Sequence, residues 1–168
     1  FSKSLAFARL MGLVVTDSWV PKSGKIRLSL GHLLDIEWVT RDLELLGIAE
    51  GTRQAMVQNT FTIYLPTEFS NSISKIEGVL SGAKVDQEAC LPKFILEEDC
   101  PVPIIREFLG SYFGGDGHTC CLSTHRGKRD LMKSVAISET KTEEWMDSLL
   151  EKTKNIKNLL EVCGVRNS

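Results

Sequence analysis

"FLGSYFGGDGH", residues 108–118, runs an apolar, glycine-rich stretch straight into one acid, Asp116. Glycine in a helix interior costs about 1 kcal/mol relative to alanine, so Gly110, Gly114 and Gly115 must serve something other than helix propensity. The same arrangement stands earlier, in "ARLMGLVVTDSW" (8–19), where Gly12 lies in an apolar run that meets Asp17. Small residues on successive turns let two helix backbones approach more closely than leucine allows. That packing is best known from membrane helices, but its steric reason holds in water. Helices over 4–16 and 103–115 crossing at Gly12, Gly110, Ser111 and Gly114 would bring Asp17 and Asp116 side by side. Adjacent carboxylates repel unless a positive charge lies between them. Hard oxygen donors suit Mg²⁺, which takes one or two carboxylates together with substrate phosphate oxygens.

Working outward, the two stretches head similar series of elements. Laying Asp17 on Asp116 places Leu10 on Leu109, Gly12 on Ser111, Leu13 on Tyr112, Val14 on Phe113 and Ser18 on Gly117. After the first acid, Ser18–Val20 and Lys25–Leu30 read as short strands around the turn at 21–24. Residues 33–47 read as an amphipathic helix with Leu34, Trp38, Leu45 and Leu46 inward, stopped by Gly47. Residues 52–66 alternate as a hairpin around Gln58-Asn59, 67–80 form a third helix, and 81–101 form a linker with a short helical piece near Phe94–Leu96. After the second acid, 118–140 give two strand-like runs around a basic loop. Residues 142–164 give a long helix with Thr142 as N-cap and Gly164 as stop, its Lys152, Lys154 and Lys157 expected on a solvated outer face. The second series ends without the hairpin and helix that complete the first, so the chain reads as an internal duplication with a shortened second copy. The expected division is residues 1–100 for the first unit with its linker and 101–168 for the second.

These residues resemble the paired dodecapeptide motifs of the LAGLIDADG homing endonucleases, double-motif members associated with inteins or standing free. "LMGLVVTDS" (10–18) matches as Leu-x-Gly-Leu-x-x-x-Asp, with Ser18 where the family has glycine. "LGSYFGGDG" (109–117) keeps the leading leucine and the final Asp-Gly, with Ser111 at the usual first glycine. The resemblance implies an α+β fold of duplicated αββαββα units, the second incomplete, whose strands make an antiparallel saddle over the DNA major groove. It implies that Asp17 and Asp116 bind Mg²⁺ at the cleavage centre of a site-specific double-strand endonuclease acting at an intron or intein insertion site. It also implies a lysine in the catalytic pocket, which no feature of the sequence places.

The strand candidates carry side chains suited to that partner: Lys22, Lys25 and Arg27, then Arg53, Gln54 and Gln58, then His125, Arg126, Lys128, Arg129 and Lys133. Lysine and arginine neutralise phosphates, while arginine and glutamine also read base edges. His118, beside Asp116, reads as a strand residue facing groove or solvent rather than as a ligand.

Composition bounds the alternatives. A formal net charge of −2 offers no global positive field, so any nucleic-acid contact depends on local patches. Five cysteines without a CxxC pair argue against a disulfide framework or zinc site and for reduced thiols. No stretch reaches the roughly 18 unbroken apolar residues of a membrane span, and no Gly-Lys-Ser/Thr follows "GGDGH", which argues against a phosphate loop. The start at Phe1 fits an excised fragment, with host intein or intron-encoded domains as flanking partners. No terminal His-Asn or N-terminal Cys or Ser marks a protein-splicing domain. Two alternatives stand beside the endonuclease: a degenerate, maturase-like member that binds DNA or RNA without cutting, and an α/β interaction domain with no nucleic-acid role.

Overall fold

"RLSL", residues 27–30, alternates an exposed arginine and a half-buried serine with two buried leucines, the period-2 pattern of a strand with one face on a core. The computed structural model describes the chain apart from residues 51, 58–59, 119–121, 126–127, 133–135 and 166–168, and apart from the side chains of 57, 116–118, 122–125 and 128–132. Its elements are α1 (Ser2–Thr16), β1 (Ser18–Trp19), β2 (Arg27–Leu30), α2 (Leu33–Leu46), β3 (Arg53–Val57), β4 (Thr60–Tyr64), α3 (Thr67–Ile73), α4 (Val102–Asp116), β5 (Gly117–His118), β6 (Leu122–His125), β7 (Lys128–Met132), β8 (Ala136–Ile137) and α5 (Met146–Val162). Short 3₁₀ turns at Lys84–Asp86, Lys93–Ile95 and Glu143–Trp145 punctuate the connections. The fold is mixed α+β.

β1, β2, β4 and β3 form an antiparallel four-stranded sheet in that order, with the expected hairpin between β3 and β4. Leu28, Leu30, Ile63 and Leu65 are buried in one apolar cluster with Leu10 and Val14 of α1 and Val39 and Leu43 of α2. α1 has buried residues at every phase of its turn, from Ala6 and Ala8 through Met11 and Gly12 to Thr16. A helix apolar all round is a central one. The linker contributes Leu91 and Ile95 to the same core.

Three expectations need correction. The strands of 117–137 do not join the four-stranded sheet: among the described residues β5 pairs with β8 and β6 with β7, apart from the larger sheet. β1 follows directly on α1 and pairs with β2, and β5 follows directly on α4 and pairs with β8. On α2, Leu34, Trp38 and Leu45 are exposed, and the buried residues are Val39, Asp42 and Leu43. An acid can occupy that face because an arginine meets it there, and Trp38 instead packs against the Arg41 guanidinium, 5.4 Å from its ring centre. On α5, Lys152 is only 5% exposed, held by Glu139 at 2.8 Å, whereas Lys154 and Lys157 are exposed as expected. Gly47 closes α2 with φ 78°, the left-handed cap that glycine adopts without strain.

The arginine is Arg9. From α1 it reaches Asp42 of α2 through Nε (2.7 Å) and Nη2 (2.5 Å), and Glu107 of α4 through Nη1 (2.8 Å). The two acids raise its pKa above the ordinary arginine value, the Asp42 bond contributing most. Asp42 is 8% exposed, so removing its partner strands a carboxylate away from water. Arg9→Met is expected to cost about 2–3 kcal/mol, a figure kept below the fully buried case because Arg9 and Glu107 remain partly exposed. Arg9→Met with Asp42→Asn should recover most of that loss. The urea midpoints of the single and double variants test this.

Candidate metal and nucleic-acid site

The two glycine-rich helices lie side by side, parallel and in register. A Cβ added to Gly12 would fall 2.6 Å from the Phe108 carbonyl oxygen, 2.8 Å from Ser111 Cβ and 2.9 Å from the Tyr112 nitrogen. One turn further on, a Cβ added to Gly115 would overlap Thr16 Oγ1 and Asp17 Oδ2. Gly12 opposite Ser111 and Thr16 opposite Gly115 are both pairs 99 residues apart in the sequence. The next pair at that offset is Asp17 and Asp116. Asp116 is the last residue of α4, so its main chain follows directly on the glycine that faces the Asp17 carboxylate.

The crossing therefore uses Gly12, Ser111 and Gly115. Gly110 and Gly114 have nothing within 4 Å of an added Cβ and take no part in the close approach. The reason is helical phase: residues 111 and 115 share a face, and 110 and 114 lie a step of about 100° away. Gly114 instead borders a cleft of about 410 Å³ beside Asp17, with Ser29, His32, Asp35 and Trp38 on the opposite wall.

Asp17 caps α1. Its N–H donates to the Leu13 carbonyl at 2.8 Å, and its own carbonyl accepts from the Ser29 N–H at 2.8 Å. That second bond ties the helix end to β2. Ser18 donates to the Val14 carbonyl at 2.5 Å, so its hydroxyl serves the helix terminus. A residue that sequence reasoning could not place also belongs here: Lys84, whose ammonium donates to the Thr16 carbonyl, one residue before Asp17. It stands 67 positions from Asp17, in a stretch that reads as linker, and no local signal marks it.

Arg27 lies two residues from Ser29 along β2 and therefore on the same face. Strand register sets Trp19 against Arg27, Arg27 against Tyr64 and Tyr64 against Arg53, so these four make one row across the sheet. Trp19, Arg27 and Arg53 are exposed, Tyr64 is half-buried, and the Arg53 guanidinium lies 6.0 Å from the Tyr64 ring centre. Trp19 and Tyr64 gave no sequence signal because only cross-strand register reveals them as neighbours of the arginines. Lys22 and Lys25 are exposed in the β1–β2 connection. Gln54 belongs to the opposite parity, in register with buried Ile63, and its amide donates to Thr40 of α2 at 3.1 Å, away from the arginine row. His125, Lys128 and Arg129 lie on the paired strands β6 and β7. Gln58, Arg126 and Lys133 lie outside the described residues.

The donor chemistry fits a hard divalent cation: a carboxylate at a helix end, facing a glycine whose missing side chain leaves it room. Among the described residues no group of three or more His, Cys, Asp or Glu forms a metal cluster, so such an ion would need Asp116 and solvent or substrate oxygens as well. Cys90, Cys100 and Cys163 are free thiols, and no described helix is long and apolar enough to cross a membrane.

No protein-family model and no curated protein sequence matches the chain. Its fold is similar to that of I-DmoI, a LAGLIDADG homing endonuclease, in the crystal structure of that enzyme in complex with DNA and Mn. The TM-score is 0.54 at 12% identity, over 100% of this chain and 82% of that one. The likeness is one of fold.

Proposed function

We propose that this chain is a site-specific DNA endonuclease of the LAGLIDADG type, cutting both strands at an intron or intein insertion site with Mg²⁺ or Mn²⁺. The observation that carries the reading is the in-register crossing of α1 and α4, which needs Gly12 and Gly115 and sets the Asp17 carboxylate against the last turn of the other helix. Asp17 and Asp116 would hold the metal; when bound, it supplies a Lewis acid and an activated water for phosphodiester hydrolysis. The Lys84 ammonium, one residue from Asp17, is suited to offset negative charge that builds at the phosphate. The row Trp19, Arg27, Tyr64 and Arg53, with Lys22 and Lys25 nearby, presents cations and aromatic edges to duplex DNA. Residues 1–100 and 101–168 would be the two halves of this arrangement, with β6 and β7 carrying the second half's basic side chains.

The test is binding and cutting of duplex DNA spanning the chain's own insertion site, with and without Mg²⁺ or Mn²⁺. Changing Arg27 and Arg53 together to Gln should weaken binding and lower the magnitude of the salt slope by about 2, one counterion per lost phosphate contact. An unchanged slope would remove this row from the interface. Binding that never leads to cutting in either metal would favour a degenerate binder over the enzyme.

A further inference from the structure

We propose that Lys141 is a positioning residue for Lys84, clamping the turn that carries it against the end of α1. The inference rests on the endonuclease reading and deepens it. Lys141 lies between β8 and α5 with its side chain 3% exposed. Its ammonium donates to the carbonyl of Lys84 itself and to that of Gln87 at 3.0 Å. The next residue, Thr142, donates its N–H to the Val85 carbonyl at 3.2 Å. Residues 141 and 142 thus engage three of the four carbonyls between 84 and 87, and the turn so held sends the Lys84 ammonium to Thr16.

Packing alone does not call for this arrangement. Burial pulls the pKa of Lys141 below the ordinary lysine value, and the Glu139 carboxylate, 3.7 Å away, opposes that fall. A buried ammonium costs free energy that a well-packed apolar side chain would not, but an apolar side chain could not grip main-chain carbonyls. Glu139 is itself fixed by Lys152 at 2.8 Å, and Lys152 lies 5.2 Å from the Tyr112 ring centre, on α4. A small cavity of about 40 Å³ is bordered by Lys84, Gln87, Glu139, Lys141 and Lys152. The segment after α4 and its strands therefore reaches back to arrange the acid site at the end of α1.

Amine acylation read by mass spectrometry tests this without reference to cleavage. In the wild-type chain Lys84 should react more slowly than exposed Lys22 and Lys154. Lys141→Met should raise its labelling about tenfold, as when a closed turn opens for want of one charged hydrogen bond, whereas Lys154→Met should leave it unchanged. In single-turnover cleavage Lys84→Met should lose about 10²-fold and Lys141→Met about tenfold, and the double variant should match Lys84→Met alone. The affinity of Lys141→Met for DNA without metal should be that of the wild type. Should Lys141→Met fail to fold, amide exchange in the wild-type chain decides: the Asp86 and Thr142 N–H groups should open together, at one rate. Unchanged Lys84 labelling, separate amide openings or independent multiplication of the two rate losses would each overturn the clamp. A wild-type chain that cuts no DNA would sink the endonuclease reading, while the labelling still decides for or against the clamp.

Discussion

Gly12→Ala is expected to lower the melting temperature by about 2–12 °C, although alanine is the better helix former by about 1 kcal/mol. The new methyl would sit within 3 Å of the Phe108 carbonyl oxygen, Ser111 Cβ and the Tyr112 nitrogen. Two of those three are main-chain atoms of α4, so no rotamer change relieves them, and the helices must part along a buried seam. Gly110→Ala is the matched control: nothing lies within 4 Å of its added Cβ, so it should be neutral or stabilising by up to about 1 kcal/mol. Adding Ser111→Gly to Gly12→Ala should recover part of the loss, since it removes one of the three clashes. Thermal unfolding of the four chains checks the set. A Gly12→Ala variant as stable as the wild type would mean that the helices do not cross as closely as described.

Asp17→Asn is expected to lower double-strand cleavage by about 10³-fold or more while leaving DNA binding in place. The amide has nearly the size of the carboxylate and fits the same space against Gly115, so the crossing survives. What goes is the charge that would hold the divalent ion. Stability gives an independent readout. A ligand bound only by the folded state adds about 2.7 kcal/mol at a hundred times its dissociation constant, so Mn²⁺ should raise the melting temperature of the wild type and not that of Asp17→Asn. Asp116→Asn should behave in the same way if the register of the two helices carries through their last residues. DNA binding without metal should hold or tighten, because one fewer carboxylate faces the phosphates. Cleavage or Mn²⁺ stabilisation that persists in both variants would remove the aspartates from the mechanism. Gly115→Ala would be a poorer probe, since its added Cβ overlaps the Asp17 carboxylate and would disturb fold and site together.

Local features of the chain determined a good deal. Apolar runs ending in acids marked α1 and α4, glycines within them announced a close crossing, and the short runs 18–20 and 25–30 with the alternation in 52–66 foretold the strands of the larger sheet. These properties follow from periodicity and side-chain volume, which act over a few residues and are written in order along the chain. Tertiary structure alone decided which glycines make the crossing. Gly110 and Gly115 are chemically identical, and only the rotational phase of α4 against α1 turns one to solvent and the other to Asp17. It also decided the partners of charged groups. Arg9 pairs with Asp42 on the buried face of α2, whose Trp38 is exposed, and Glu139 pairs with Lys152 on the buried face of α5, in line with Ile156 and Leu159. Lys84 and Lys141 lie 57 residues apart in segments without regular pattern, and Thr16 is another 68 positions from Lys84. Their meeting depends on where the linker crosses the end of α1, a matter of chain path through space that neither propensity nor hydrophobic period encodes.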